Sequence, residues 1–365
     1  MEFAFLSAVL LAASAPDYIF VAGQEGYACF RIPAVIVAPD SSLLAFAEGR
    51  KNSCSDTGDI DLVYKRSMDY GRTWGPLSVI WDERENTTGN PAPVVNSTTG
   101  EIFLLATWNL GTDHEADIIR LTSTDTRRVY VLSSKDSGHS WSEPKEITSS
   151  VKKPDWTWYA TGPGSGTQLT RPPYAGRLMV ACDHIEADTK HYYSHVIFSD
   201  DHGATWQLGG STPQHQVNES EVAELSDGRL LLNMRNYAIG ERHRKIAHSH
   251  DGGATWSDLA SDSTLVEPIC QASLQRFQFP EEGASILLFS NPASKTKREN
   301  MTLRASFDEG LSWTKSLLVY DGMSAYSDIV RLPDGMIGLL YEAGPDHEHA
   351  YFGIAFRRIA LSELR

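Results

Sequence analysis

The sequence predicts an all-β fold, a six-bladed β-propeller with four antiparallel strands to each blade. Three observations predict it. First, the pattern S-x-D-x-G-x-[ST]-W occurs five times: SMDYGRTW at 67–74, SKDSGHSW at 134–141, SDDHGATW at 199–206, SHDGGATW at 249–256 and SFDEGLSW at 306–313. Second, successive boxes start 67, 65, 50 and 57 residues apart, the length of a four-stranded blade with its loops. Third, a strand–turn–strand unit precedes every box and occurs once more after the last, giving six hairpins for five boxes.

The elements follow in order. The hairpins are RIPAVIVAPDSSLLAFAEGR, APVVNSTTGEIFLLATWN, GTQLTRPPYAGRLMVACDH, SEVAELSDGRLLLNMRN, QASLQRFQFPEEGASILLFSNP and SDIVRLPDGMIGLLYEAG. Gly, Asn, Asp and Pro punctuate them as turns require. A third strand precedes each box: IDLVYKRS, RRVYVLSS, YSHVIFSD, RKIAHSH and MTLRASF, each apolar or alternating. The sixth hairpin is followed by AYFGIAFRRIA, a third strand without a box. The segment DYIFVAG at 17–23 supplies the fourth strand of that blade. This pairing closes the ring by its two ends and leaves few exposed edges. Residues 16–365 are then one domain.

The box is a turn between the third and fourth strands. Its Asp accepts backbone N–H groups of its own turn, its Gly adopts a φ other residues resist, and its Trp offers apolar surface to a neighbouring blade. These residues are staples rather than catalysts. Alternation of strand direction then sorts the remaining polar residues by face. Arg31 starts a first strand. Arg50 and Asp56 follow a second strand, as do Trp108 and Asp113. Glu219 starts a first strand and Arg235 ends its partner. Arg304 is placed at the start of a third strand, Tyr326 at the start of a first, and Glu342 at the end of a second. All fall at one mouth. Three arginines around one point repel unless an anion sits among them, and guanidinium forks suit a carboxylate.

The bulk numbers bound the partners. With 365 residues, 41% of them hydrophobic, the chain can bury a large core. A net charge of −15 argues against nucleic acid or an acidic membrane as main partner, while leaving room for a local anion site. No apolar run is long enough to anchor the mature chain in a membrane. Residues 1–15, MEFAFLSAVLLAASA, read as a signal peptide except that Glu2 stands where a positive residue is usual. With it cleaved, the protein is secreted, extracellular or lysosomal. Sequons begin at Asn86, Asn96, Asn218 and Asn300. A glycan on Asn218 would plug the mouth, so that sequon is expected to be unused. Cys29 and Cys54 lie two residues before Arg31 and Asp56; a disulfide bracing the site and two packed thiols are both open. No histidine or cysteine spacing reads as a metal site.

FRIPAVIV at 30–37 resembles the F-R-I-P motif of exo-α-sialidases. Together with the five Asp-box repeats, SDTGDIDLVYKRS, NESEVAELSDGRLLLNMRN, TLRASFDEG and AYSDI, it makes the chain similar to the retaining sialidases of bacterial and lysosomal type, from about Tyr18 to the C-terminus. The resemblance implies that Arg31, Arg235 and Arg304 clamp the substrate carboxylate, that Tyr326 is the nucleophile with Glu219 as its base, and that Asp56 is the acid and then the base. It implies that Glu342 orients Arg31 and that Arg50 and Asp113 contact ring hydroxyls. Trp108 and the DWTWY segment at 155–159 are candidates for the N-acetyl pocket. The chemistry fits: the anomeric carbon carries a carboxylate, which repels a carboxylate nucleophile but not a neutral phenol. The expected reaction is hydrolysis of terminal α-linked sialic acid from glycoproteins, glycolipids and oligosaccharides with retention. Transfer, a related nonulosonic-acid substrate, or a non-catalytic lectin are the rival readings. No cofactor is implied.

Overall fold

A computed structural model describes residues 15–345 and 349–365. All but the last residue of the candidate signal peptide lies outside them, as does His347. The fold is all-β; the α-helices among the described residues are the short Glu115–Arg120 and Thr148–Val151. The strands form four sheets of eight, five, four and seven strands, none closed on itself.

This pairing differs from the six separate sheets expected, for two local reasons. In the eight-stranded sheet, one antiparallel run begins with Cys29–Val37, Leu43–Arg50 and Ile60–Ser67, and a second with Thr87–Val95, Ile102–Asn109 and Arg128–Ser134. A single parallel bridge, Ile60 to Thr87, joins them. In the seven-stranded sheet, Lys315–Arg331 runs 17 residues without a break. Its first half pairs with Glu299–Ser306 and its second half with Ile337–Gly344. The five-stranded sheet contains Leu178–Glu186, and the four-stranded sheet contains Val217–Glu224 and Leu230–Asn236. Tyr18–Val21 pairs antiparallel with Gly353–Ile359, so the first described strand lies beside the last. Their side chains share one core with Val35, Val63 and Leu340.

The boxes fold alike. In the first, Ser67 Oγ donates to Asp69 Oδ1 at 2.8 Å and accepts the Gly71 N–H at 2.8 Å. Asp69 also accepts the Thr73 N–H at 2.8 Å and the Thr73 hydroxyl at 2.7 Å. These bonds, led by the Thr73 hydroxyl, pull the Asp69 carboxyl down to about 2. The same contacts recur at Asp136, Asp201, Asp251 and Asp308. Two residues per box take positive φ, as in Tyr70 (62°) and Gly71 (87°). A Cβ on Gly71 would come within 2.1 Å of Phe356. The five box tryptophans belong to five different cores. Trp74 packs edge-on against Phe356, Trp141 against Phe46 and Trp206 against Phe103, each from another strand unit. The boxes therefore staple one unit to the next.

Candidate active site

The site begins with an irregular strand. Cys29–Val37 slips register between Arg31 and Ala34, and Ile32 takes φ 59°, a conformation costly for a β-branched residue. The slip turns the Ile32 N–H onto Glu342 Oε1 at 2.9 Å. Arg31 Nε donates to the same oxygen at 2.8 Å and its Nη2 to Glu342 Oε2 at 3.2 Å, a bidentate pair. The second oxygen also accepts the Tyr326 N–H at 3.1 Å. One fully buried carboxylate thus fixes both the arginine and the tyrosine backbone. Burial works against the charge on Arg31, but Glu342 outweighs it and holds the guanidinium firmly protonated.

A cavity of about 400 Å³ opens beside this strand, within the usual range for small-molecule sites. Arg31, Arg50, Asp56, Glu219, Arg235 and Tyr326 line it. The Tyr326 hydroxyl donates to Glu219 Oε1. Arg235 Nη1 bridges the pair, 2.5 Å from Glu219 Oε2 and 3.0 Å from the Tyr326 oxygen. Burial, then the Glu219 charge, pushes the Tyr326 phenol well above its ordinary value; Arg235, Arg298 and Arg31 oppose the shift without reversing it. The resting phenol is neutral with a base in contact.

Asp56 sits on the loop after Leu43–Arg50. Its side chain is 71% exposed at the mouth. The walls strip some of its hydration and raise its pKa, but Arg50 and then Arg31 pull harder, leaving it below the ordinary carboxylate value. Arg50 Nη1 reaches Asp56 Oδ1 at 2.7 Å and the Cys54 carbonyl at 2.6 Å, while its Nε and Nη2 hold Glu48. Cys29 and Cys54 are joined in a disulfide. It ties the Asp56 loop to the strand that carries Arg31.

Three expectations are corrected. Arg304 does not line the cavity: it sits near the end of Glu299–Ser306, opposite Phe289 and Ser316, with Nη1 3.2 Å from Asn291 Oδ1. Arg298, just before that strand, lines the cavity in its place. Six residues of strand carry Arg304 about 20 Å past the mouth. Arg298 Nη1 donates to the Tyr351 hydroxyl at 2.9 Å, and its guanidinium lies 5.6 Å from the Tyr326 ring centre. Asp113 is buried beside the Leu110 turn and lines no part of the cavity. Trp108 is half-buried against a core away from the cavity lining, and Trp158 of the D-W-T-W-Y segment lines the cavity instead. Asn218 lines it too, and Asn96 is fully buried, so neither side chain is free to carry a glycan.

Residues 41–339 match the family described as BNR repeat-like domain. A sialidase of Paraclostridium sordellii is 31% identical over 345 residues, covering 88% of this chain and 83% of that protein. The chain belongs to the sialidase family. A sialidase of Micromonospora viridifaciens is 35% identical over 349 residues, 92% of this chain and 53% of its own length. The chain therefore spans about half of that relative. A solved structure titled Hadza microbial sialidase Hz136 is 32% identical with a TM-score of 0.86, covering 95% of this chain and 69% of its own.

Sequence reasoning missed several sialidase-cavity residues: Arg127, Asp183, Arg298, Tyr237 and Tyr351. Arg127 lies deep, its Nε 2.9 Å from the Tyr159 carbonyl and its Nη1 2.5 Å from Asn109 Oδ1, with the guanidinium 4.1 Å from the Trp158 ring centre. Burial lowers it to about 10. The one legible signal was for Arg298, which heads the strand that MTLRASF announced. Among the described residues, no cluster of three His, Cys, Asp or Glu is placed to hold a metal. No helix among them is long and apolar enough to cross a membrane.

Proposed function

We propose that the protein is an exo-α-sialidase that hydrolyses terminal α-linked sialic acids of glycoproteins, glycolipids and oligosaccharides with retention of configuration. One observation carries the reading: the Tyr326 phenol, neutral and in contact with Glu219, lies in the same cavity as Arg31, Arg235 and Arg298. The three guanidiniums take the substrate carboxylate. Tyr326 Oη attacks the anomeric carbon while Glu219 takes its proton, forming a glycosyl–tyrosine bond as the aglycone leaves. Asp56 protonates the departing oxygen and then deprotonates the water that cleaves the tyrosyl bond. Arg50 and Arg31 hold Asp56 toward its ionised form. An arriving carboxylate offsets the Arg31 charge, so substrate itself moves Asp56 toward its acid form. Glu342 is a positioning residue for Arg31.

We read the four sheets as six four-stranded blades in one domain, 16–365, closed by Tyr18–Val21. The single Ile60–Thr87 bridge and the two-faced Lys315–Arg331 strand support that count. A crystal structure in which the bridge extends into a ladder would undo it. Secretion is proposed from the Cys29–Cys54 disulfide, which persists in oxidising compartments.

The test is Tyr326→Phe on an aryl α-sialoside, with the released anomer followed by NMR. Wild type should release the α-anomer first, and the variant should fall by about 10³-fold or more. Initial β-anomer, or a variant within tenfold of wild type, sinks the mechanism. A wild type that binds sialosides without cleaving them is a lectin.

A further inference from the structure

The cavity wall holds a buried carboxyl group that the proposed reaction does not use. Asp183 lies in Leu178–Glu186, is 1% exposed, and lines the cavity. Neither of its oxygens has a hydrogen-bond partner. Buried polar groups are almost always paired, and an orphaned carboxyl is costly to keep. Beside it, Asn218 Oδ1 is also buried, unpaired and in the cavity wall. The two are linked through Ser194, which faces Asp183 across the strand pair and donates its hydroxyl to the Asn218 carbonyl at 2.5 Å. Three orphaned oxygens on one patch mark a place where a ligand supplies the missing partners.

The charged groups acting most strongly on Asp183 are Glu219, Glu115, Arg127 and Arg235. Asp183 and Asn218 stand on strands of the five- and four-stranded sheets, whereas Arg31 and the Asp56 loop belong to the eight-stranded sheet and Arg298 precedes a strand of the seven-stranded one, so the patch is built on other strands than the leaving-group acid and two of the three carboxylate arginines. Burial, reinforced by Glu219 and Glu115, raises the Asp183 pKa far above the ordinary range, so the group is a neutral acid. A neutral carboxyl offers one O–H donor and one carbonyl acceptor. A hydroxyl also gives and accepts one bond, and Asn218 Oδ1 accepts a second hydroxyl.

Resting on the sialidase reading, we propose that Asp183, with Asn218, binds the terminal hydroxyls of the substrate's polyol tail and sets specificity for that tail. Asp183 is a binding residue that exchanges hydrogen bonds as a neutral acid, and no proton leaves it during turnover.

The test is a double-mutant cycle on kcat/KM. One substrate is an aryl α-sialoside; the other is the same glycoside cleaved by mild periodate and reduced, which lacks the last two carbons and their hydroxyls. Wild type should prefer the intact tail. Asp183→Ala should lose about 10- to 100-fold on the intact substrate and little on the shortened one. Asp183→Asn keeps a donor and an acceptor and should stay within about fivefold of wild type on both; thermal melts of both variants confirm folding. Equal losses on the two substrates, or Asp183→Asn as damaged as Asp183→Ala in a folded protein, overturn the proposal and leave the sialidase reading standing. A wild type inert on both substrates overturns both.

Discussion

At the residue scale, the decisive difference between two arginines is six positions. Arg298 and Arg304 bracket one strand, and only the first reaches the cavity. Arg298→Ala should therefore raise KM for a sialoside about 10- to 100-fold, the worth of a charged hydrogen bond in a dry site. Arg304→Ala should leave KM within about twofold. Steady-state kinetics on one substrate decides between them, and the reverse result restores the sequence expectation. Arg31, Arg235, Tyr326, Glu219 and Asp56 were legible because each stands in a short motif at a strand end. Asp183 was not, because nothing in LMVACDHIE separates a cavity acid from a loop-facing one. Its meaning lies in having no partner, and partners come from other strands.

At the element scale, the loop after Leu43–Arg50 is exposed and carries Asp56. It is held by the Arg50 contacts and the Cys29–Cys54 disulfide. A misplacement near 1 Å costs about 100-fold in such sites. Removing the disulfide with Cys54→Ser should slow release of an alkyl aglycone, which needs protonation, about 10- to 100-fold. A nitrophenyl aglycone leaves without protonation and should slow much less. Equal slowing of both would mean that the disulfide supports the whole pocket rather than the acid. The sequence left both disulfide and packed thiols open, since spacing in the chain does not report the distance between two strand ends.

At the scale of the whole molecule, Asp328 ties separate sheets together. Its carboxylate accepts the Val35 N–H at 2.7 Å and the Ser165 and Ser273 hydroxyls at 3.3 and 3.1 Å. Ser273 Oγ also lies 2.9 Å from Glu221 Oε2, a buried carboxyl of a further sheet, so one hydroxyl proton is shared between two carboxyl groups. Burial raises Asp328 to about 7. The folded protein binds this proton more tightly than the unfolded chain, whose carboxyls titrate near 4. The stability it contributes is complete below pH of about 4 and is lost as pH rises through about 7. The melting temperature of wild type minus that of Asp328→Asn should fall between pH 5 and 8. A flat difference would show that the carboxyl stays in one protonation state across that range.

The sequence by itself determined the all-β class, the repeat that staples neighbouring units, the joining of the first strand to the last, and the family. Most of these follow from local patterns, namely alternation, turn residues and the S-x-D-x-G-x-[ST]-W box, which act within about ten residues of one another; the joining of the ends follows from counting the units those patterns mark off, which leaves one without a fourth strand. Only the tertiary structure decided that Arg298 rather than Arg304 completes the arginine set, that Trp158 rather than Trp108 lines the cavity, and that Asp183 stands unpaired in its wall. The cavity is assembled from strand ends far apart in the chain. Which side chain of a strand reaches it depends on where each strand starts relative to its neighbours, and that register is set by packing between strands.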